Sequence, residues 1–280
     1  MMHIFFLKNF ITTFRQINIM KGILGTICGN IIGSTREFDP IKTKDFNLFT
    51  KKSMFTDDTV MTLAIAKWLC EDKNSSDVLI KNLQLFGNYY PNAGYGKMFS
   101  KWIRQDSPKP YGSWANGSAM RVSPCAWVAN TLEEAQDLAK KSAIVTHNHP
   151  DGMKGALATV DAIYLARIGA SKEEIKNHVE IRYEYDLDRS LDEIRPYYSF
   201  DVSCAGSVPE SIICFLEAND FEDAIRNAVS LGGDADTQAA ITGSIASAYW
   251  DIPRSIAYKS INRLDYRLLK VLIEFEDKFL

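Results

Sequence analysis

Two short stretches of this chain gather oxygen ligands densely enough to suggest cation chemistry. The first is Thr56-Asp57-Asp58; the second is Asp234-Ala235-Asp236-Thr237, which follows Leu231-Gly232-Gly233. Each sets two carboxylates and a hydroxyl at the start of a helical pattern. Either could cap its helix, because Thr and Asp side chains accept from the free N–H groups of a first turn. Each cluster nevertheless carries more oxygen ligands than one cap requires. Hard divalent cations such as Mg²⁺ take oxygen ligands, often carboxylates. Two such clusters facing each other could hold two ions, and a pair of ions orients and polarises a hydroxyl-rich substrate or a water. The EF-hand spacing D-x-D-x-D-G is absent, which sets aside a calcium loop of that type.

Other chemistry-bearing residues are weaker candidates. His147 and His149 form an H-x-H pair, but no cysteine or third ligand lies near them for zinc. Cys125, next to Pro124, has no histidine arranged to activate it and reads as a buried thiol. The five cysteines are widely spaced, odd in number and free of any C-x-x-C pair. That pattern argues against a disulfide framework and a structural zinc, and fits a reducing cytoplasm.

The elements that must position these residues are helices. Asp57–Glu71 has carboxylates in its first turn and an apolar set including Leu63, Ala64, Ala66 and Trp68. Asp151 is expected to cap the helix that follows, with Gly169 as its stop. Ser171 and Glu174 form a capping box. Asp220 caps a helix that Gly232 and Gly233 end, and Thr237–Trp250 is helical again. Small residues recur at helical spacing at Gly22, Gly25, Gly29 and Gly33, and at Ala239, Gly243 and Ala246 or Ser247. Glycine inside a helix costs roughly 0.5–1 kcal/mol relative to alanine. The stripes therefore predict two central helices approached closely by another backbone. No alternating strands and no G-x-G-x-x-G after a strand occur. Tyr89–Ser118 is expected to be the longest irregular stretch, and its aromatics (Tyr89, Tyr90, Tyr95, Phe99, Trp102, Tyr111 and Trp114) suggest an ordered binding loop.

The bulk properties agree. The chain has 280 residues, 46% of them hydrophobic and 24% charged, with a net charge of −3. Such a chain has no basic field for non-specific nucleic-acid binding. No segment reaches ~20 uninterrupted apolar residues, so no membrane span is expected. The leader MMHIFFLKNFITTFRQINI is too interrupted by Lys8 to read as a signal peptide. Residues 1–19 are expected to be a poorly ordered or non-native extension, with Met20 as the natural start and a single domain over 20–280. A cytoplasmic monomer is expected.

Six segments together identify a resemblance. They are GILGTICGNIIGSTREF (Gly22–Phe38), FTDDTVMTLAIA (Phe55–Ala66), AGYGKMFSKW (Ala93–Trp102), WANGSAMRVSP (Trp114–Pro124), THNHPDGMKGA (Thr146–Ala156) and SLGGDADTQAAITGSIASAYW (Ser230–Trp250). In this order the chain resembles the ADP-ribosylglycohydrolases, the family that includes the dinitrogenase reductase-activating glycohydrolases. The resemblance implies an all-α, compact single-domain helical bundle with a binuclear metal site, Mg²⁺ foremost and Mn²⁺ in some members. It implies Thr56, Asp57 and Asp58 as one ligand set and Asp234, Asp236 and Thr237 as the other, with Asp236 bridging. Glu37 matches a glutamate near the metals. Asn116, Gly117, Ser118, Met120 and Arg121 match the loop that cradles the diphosphate and distal ribose, and His147 matches a pocket histidine. Tyr95 or Trp114 could stack on adenine. Asn30 departs from the family, which usually has Asp there.

The implied reaction is metal-dependent hydrolysis of the bond between ADP-ribose and a protein or small-molecule acceptor, through an oxocarbenium-like transition state. Glu37, Asp57 and Asp234 are the carboxylates expected to move protons or activate water. Two alternatives stand beside it: a member that binds ADP-ribose without cleaving it, for which Asn30 is the hint, and a hydrolase of another ribosyl or nucleotide compound on the same scaffold.

Overall fold

Every residue from Leu24 to Gly33 is buried, and so is every residue from Ala235 to Ala248. A helix covered on all faces must lie at the centre of its domain. The computed structural model describes residues 21–280, and the leader and Met20 lie outside the described residues. In chain order the helices are α1 (Leu24–Gly33), α2 (Asp57–Asp72), α3 (Ser76–Tyr89), α4 (Lys97–Trp102), α5 (Gly117–Met120), α6 (Ser123–Val128), α7 (Leu132–Ile144) and α8 (Pro150–Arg167). They continue with α9 (Lys172–Tyr183), α10 (Leu191–Ile194), α11 (Cys204–Leu216), α12 (Phe221–Ser230), α13 (Ala235–Tyr249), α14 (Arg254–Ile261) and α15 (Tyr266–Phe279). The described residues contain no strand, only an isolated antiparallel bridge between Ala115 and Ser203. The expected all-α, single-core architecture is what forms.

The two small-residue stripes meet. A Cβ added to Gly29 would lie 1.9 Å from the carbonyl oxygen of Ala239, and one added to Gly243 would lie 2.4 Å from the carbonyl of Gly25. No side chain fits between α1 and α13, so the two backbones are in direct contact. Ser247, rather than Ala246, continues the seam: its hydroxyl donates to the carbonyl of Gly22 at 3.0 Å. Around this pair, α8, α11 and α12 pack on α13, while α2 and α14 pack on α1. The core is one contiguous cluster that includes Trp68, Trp102, Phe215 and Phe275. All five cysteines are buried and free.

Capping follows the sequence in part. Ser171 forms its capping box with Glu174, and Asp220 accepts from the Asp223 N–H. For α8 the cap is two residues earlier than expected: His149 Nδ1 accepts from the Asp151 N–H, and Asp151 sits inside the first turn. The long irregular stretch is shorter than the sequence suggests. Tyr89 closes α3, and Lys97–Trp102 is helical because Phe99 and Trp102 turn inward together.

Two measurements test this packing. Gly29→Ala must force α1 from α13, and we expect a loss of about 1–3 kcal/mol or more in urea unfolding, as for overpacked cores; unchanged stability would rule out the backbone contact. Glu276, 4% exposed on α15, has its carboxyl pushed up to about 8 by burial. Its folded pKa lies above the unfolded one, so its ionisation weakens the fold as pH rises from about 4.5 to about 8. Glu276→Gln should therefore be near neutral at acid pH and relatively stabilising above that window, with about 1.4 kcal/mol per pH unit of the window as the ceiling. Melting curves of both proteins across pH check the crossover.

Candidate active site

The α1–α13 seam carries its chemistry at one end. Asn30 lies on α1, Thr56–Asp58 open α2, and Asp234–Thr237 open α13, so the three elements converge. The cap positions Thr56 and Asp234 make no side-chain capping hydrogen bond to their helices. Thr56 Oγ1 instead reaches Asp236 Oδ2 at 2.8 Å and Asp58 Oδ2 at 3.0 Å. Asp234 Oδ2 accepts from Asn116 Nδ2 at 2.8 Å. Carboxylate oxygens of Glu37, Asp234 and Asp236 come within 4.8 Å of one another. The sequence-separated clusters thus share one site.

Asn30 organises it. Its Oδ1 accepts from the Thr56 N–H at 3.0 Å and from the Thr59 hydroxyl at 2.6 Å. Those donors fix the orientation of the amide, so Nδ2 must face the acids. It donates to Asp58 Oδ2 at 3.1 Å and also contacts Thr56 Oγ1. An aspartate at this position would replace a donor with another carboxylate.

The acids repel one another. Burial, then repulsion from Asp236, holds Asp57, Asp58 and Asp234 well above the usual carboxylate range. Asp236 is raised by burial, and Glu37 is pushed up to about 7 by burial and then by Asp236. No lysine or arginine is paired with any of them among the described residues, and the buried Asp58 Oδ1 has no hydrogen-bond partner. Buried charges of one sign require a counter-charge. An all-oxygen donor set with an orphaned carboxylate oxygen fits a hard divalent cation.

These acids floor a cavity of about 640 Å³. Glu37, Asp57, Asp58, Asn116, Gly117, Met120, Arg121, His147, Asp234, Asp236 and Thr237 all line it. Its walls come from loops. Asp57 is tied to one of them, since its N–H donates to the Ala93 carbonyl at 2.8 Å. Gly94 follows with φ +110°, a conformation that disfavours side chains, and a Cβ there would lie 3.2 Å from Asp57 Oδ1. The Ala115–Ser203 bridge sets a second wall, with the Asn116 N–H donating to the Val202 carbonyl at 2.8 Å.

Other expected residues stand elsewhere. Thr56 is off the cavity wall, although its Oγ1 stays among the acids, against Asp58 and Asp236. Ser118 is fully buried, its hydroxyl turned to the Gly152 carbonyl at 2.7 Å, so its side chain serves packing. Tyr95 lies behind the lining with its ring 5.5 Å from that of Phe99. Trp114 is half-exposed and outside the lining. Arg121 makes no ion pair among the described residues; it is 1% exposed and donates to the Ser142 carbonyl and to Thr146 Oγ1, both at 2.8 Å. His147, neighbour to Thr146 through a 2.7 Å contact at Nδ1, is held well below the usual imidazole pKa by burial and by Arg121, and so is neutral. Sequence reasoning missed Tyr111 as the aromatic on the wall, together with Phe200 and Val202. Tyr111 stood among the loop aromatics, whereas Phe200 and Val202 carry no motif.

The comparisons with known proteins bear on the family and the fold. A family model described as ADP-ribosylglycohydrolase matches residues 12–277. The chain is 28% identical to the ADP-ribosylhydrolase ARH3 of Mus musculus, over 84% of this chain and 85% of that protein. To the human ARH3 it is 28% identical over 72% of each. To the ADP-ribosylarginine hydrolase Tri1 of Pseudomonas putida it is 25% identical, covering 86% of this chain and 73% of that protein. A solved structure titled ADP-ribosylglycohydrolase-related protein complex shares the fold, with a TM-score of 0.71 at 21% identity over 95% of this chain and 99% of the other. With its fold, its converging acids and a family match over nearly its whole length, the chain belongs to the ADP-ribosylglycohydrolase family.

Proposed function

We propose that this chain hydrolyses the bond joining ADP-ribose to an acceptor, with divalent ions held between its two acidic helix starts. One observation carries the reading: two carboxylate clusters 176 residues apart (234 − 58) share the floor of a single ligand-sized cavity, and among the described residues no lysine or arginine is paired with them. The relatives named as ADP-ribosylhydrolases supply the substrate class.

Thr56, Asp57, Asp58, Asp234, Asp236 and Thr237 are the residues that would hold the ions, with Mg²⁺ foremost and Mn²⁺ as the alternative. Bound ions supply positive charge that orients ribose hydroxyls and polarises a water. The protein's own groups do the rest. Asn30 fixes Thr56 and Asp58 against each other, and Asn116 fixes Asp234. Glu37, half-buried at the edge of the cluster, has a carboxyl close enough to neutrality to hold or release a proton at its oxygen. Asp57 and Asp234 present negative charge to the positive charge that develops on the ribose as the bond to its acceptor lengthens. Gly117, Met120 and His147 line the cavity where the remaining ADP-ribose would lie. The partner is an ADP-ribosylated protein or ADP-ribose derivative. No described helix is long and apolar enough to cross a membrane.

The test is incubation with ADP-ribosyl-arginine, an ADP-ribosyl-serine peptide and poly-ADP-ribose, each with Mg²⁺, with Mn²⁺ and after chelation. Release of ADP-ribose only with metal supports the proposal; tight ADP-ribose binding without turnover on any substrate sinks it in favour of a binding protein. Consumption of a different ribosyl compound alone would point to the third reading.

Two variants sharpen this. Asp57→Asn and Asp236→Asn should each abolish the metal-induced rise in melting temperature and cut turnover at least about 100-fold, with an unchanged helical circular dichroism spectrum. Wild-type turnover in either would remove the metal assignment. Asn30→Asp adds a carboxylate to the cluster. It should lower the melting temperature of the metal-free protein and enlarge the rise that Mg²⁺ produces, as thermal shift would record.

A further inference from the structure

We propose that Arg121 and Thr146 are positioning residues that fix His147 as a neutral imidazole protonated on Nε2, aimed across Gly117 at an oxygen acceptor of the bound ligand. The ligand's identity rests on the hydrolase reading above; the proton arrangement does not.

The guanidinium of Arg121 only donates. Its Nη2 donates to the Ser142 carbonyl and to Thr146 Oγ1, each at 2.8 Å. Thr146 therefore accepts on that side. It is fully buried, and the other group at its hydroxyl is His147 Nδ1 at 2.7 Å. Were Nδ1 protonated, two donors would face one hydroxyl, and the threonine's own proton would be left without an acceptor in a dry site. Leaving a buried donor unmade is the costly case. The threonine proton thus goes to Nδ1, and a neutral ring that accepts at Nδ1 carries its hydrogen on Nε2. A doubly protonated ring meets the same conflict, and burial together with the Arg121 charge opposes it as well.

The far side of the ring is shaped for a ligand. Nε2 has no hydrogen-bond partner among the described residues, and His147 lines the cavity. A Cβ on Gly117 would lie 3.1 Å from Nε2, so the absence of a side chain there keeps the donor open. The ring cannot flip without breaking the Thr146 contact. The arrangement supplies one directed N–H without adding positive charge, which suits a ribose hydroxyl oxygen or a phosphate oxygen. Nη2 of Arg121 is committed to Ser142 and Thr146, so the influence of that nitrogen on the ligand runs through this chain.

The test uses the full chain labelled with ¹⁵N-histidine, free of ligand, with His147→Asn assigning the signal. Long-range ¹H–¹⁵N spectra at neutral pH should show an unprotonated Nδ1 and a protonated Nε2 in the wild type and in Thr146→Ser. Thr146→Val should show mixed tautomers and weaken ADP-ribose binding about five- to tenfold by calorimetry, with Thr146→Ser restoring it. A matching loss for ADP would place the acceptor on phosphate; a loss for ADP-ribose alone would place it on the distal ribose. A wild-type ring protonated on Nδ1, or a folded Thr146→Val with the wild-type spectrum, overturns the proposal. If Thr146→Val does not fold, the wild-type and Thr146→Ser spectra decide. None of these spectra depends on turnover, so failure of the relay and failure of the hydrolase reading are separable.

Discussion

Carboxylates of like charge do not gather in a protein interior unless something offsets their repulsion and their lost hydration. Here Asp57, Asp58, Asp234 and Asp236 stand together with Glu37 at their edge. Hydrogen bonds from Asn30, Thr56 and Asn116 relieve part of the strain, yet one Asp58 oxygen is left with no partner. The rest of the fold is arranged so that this cluster forms regardless. The helices α1 and α13 meet backbone to backbone, and Asn30 on α1 ties the acid-bearing start of α2 to this seam beside the start of α13. Stability is given up at the cluster and recovered in the surrounding core, a distribution typical of sites that bind ions.

Much of this was legible in the sequence because two different periodicities agreed. Apolar and small residues at helical spacing marked α1 and α13 as central, and an excess of acids over what a cap needs marked the starts of α2 and α13. Neither signal alone distinguishes a site from ordinary packing. Caps illustrate the limit. Thr56 and Asp234 look like caps, but their oxygens turn to other partners, whereas Asp220 looks the same and does cap its helix.

The rest was not legible, because direction in a loop is set by tertiary contacts rather than by spacing. Ser118 shares a motif with Asn116 and Gly117 but faces Gly152, since α5 turns once and carries it inward. Tyr95 and Tyr111 are both loop aromatics, and only Tyr111 reaches the wall. His149 caps α8 through its ring, although the residue pattern favours Asp151 for that role. Phe200 and Val202 are placed by a bridge between Ala115 and Ser203 that no local pattern announces.

The cavity is assembled from two kinds of material. Its floor is the ends of buried helices, immobilised by close packing. Its walls are the segments around Gly94, Tyr111 and Phe200, which are held by a few backbone hydrogen bonds. Loops of that kind tolerate insertion and replacement far better than a core does. Floor and walls are therefore separable by evolution: the walls can be recast while the acidic base is inherited intact. A lineage built this way can diversify its clientele without reinventing its chemistry.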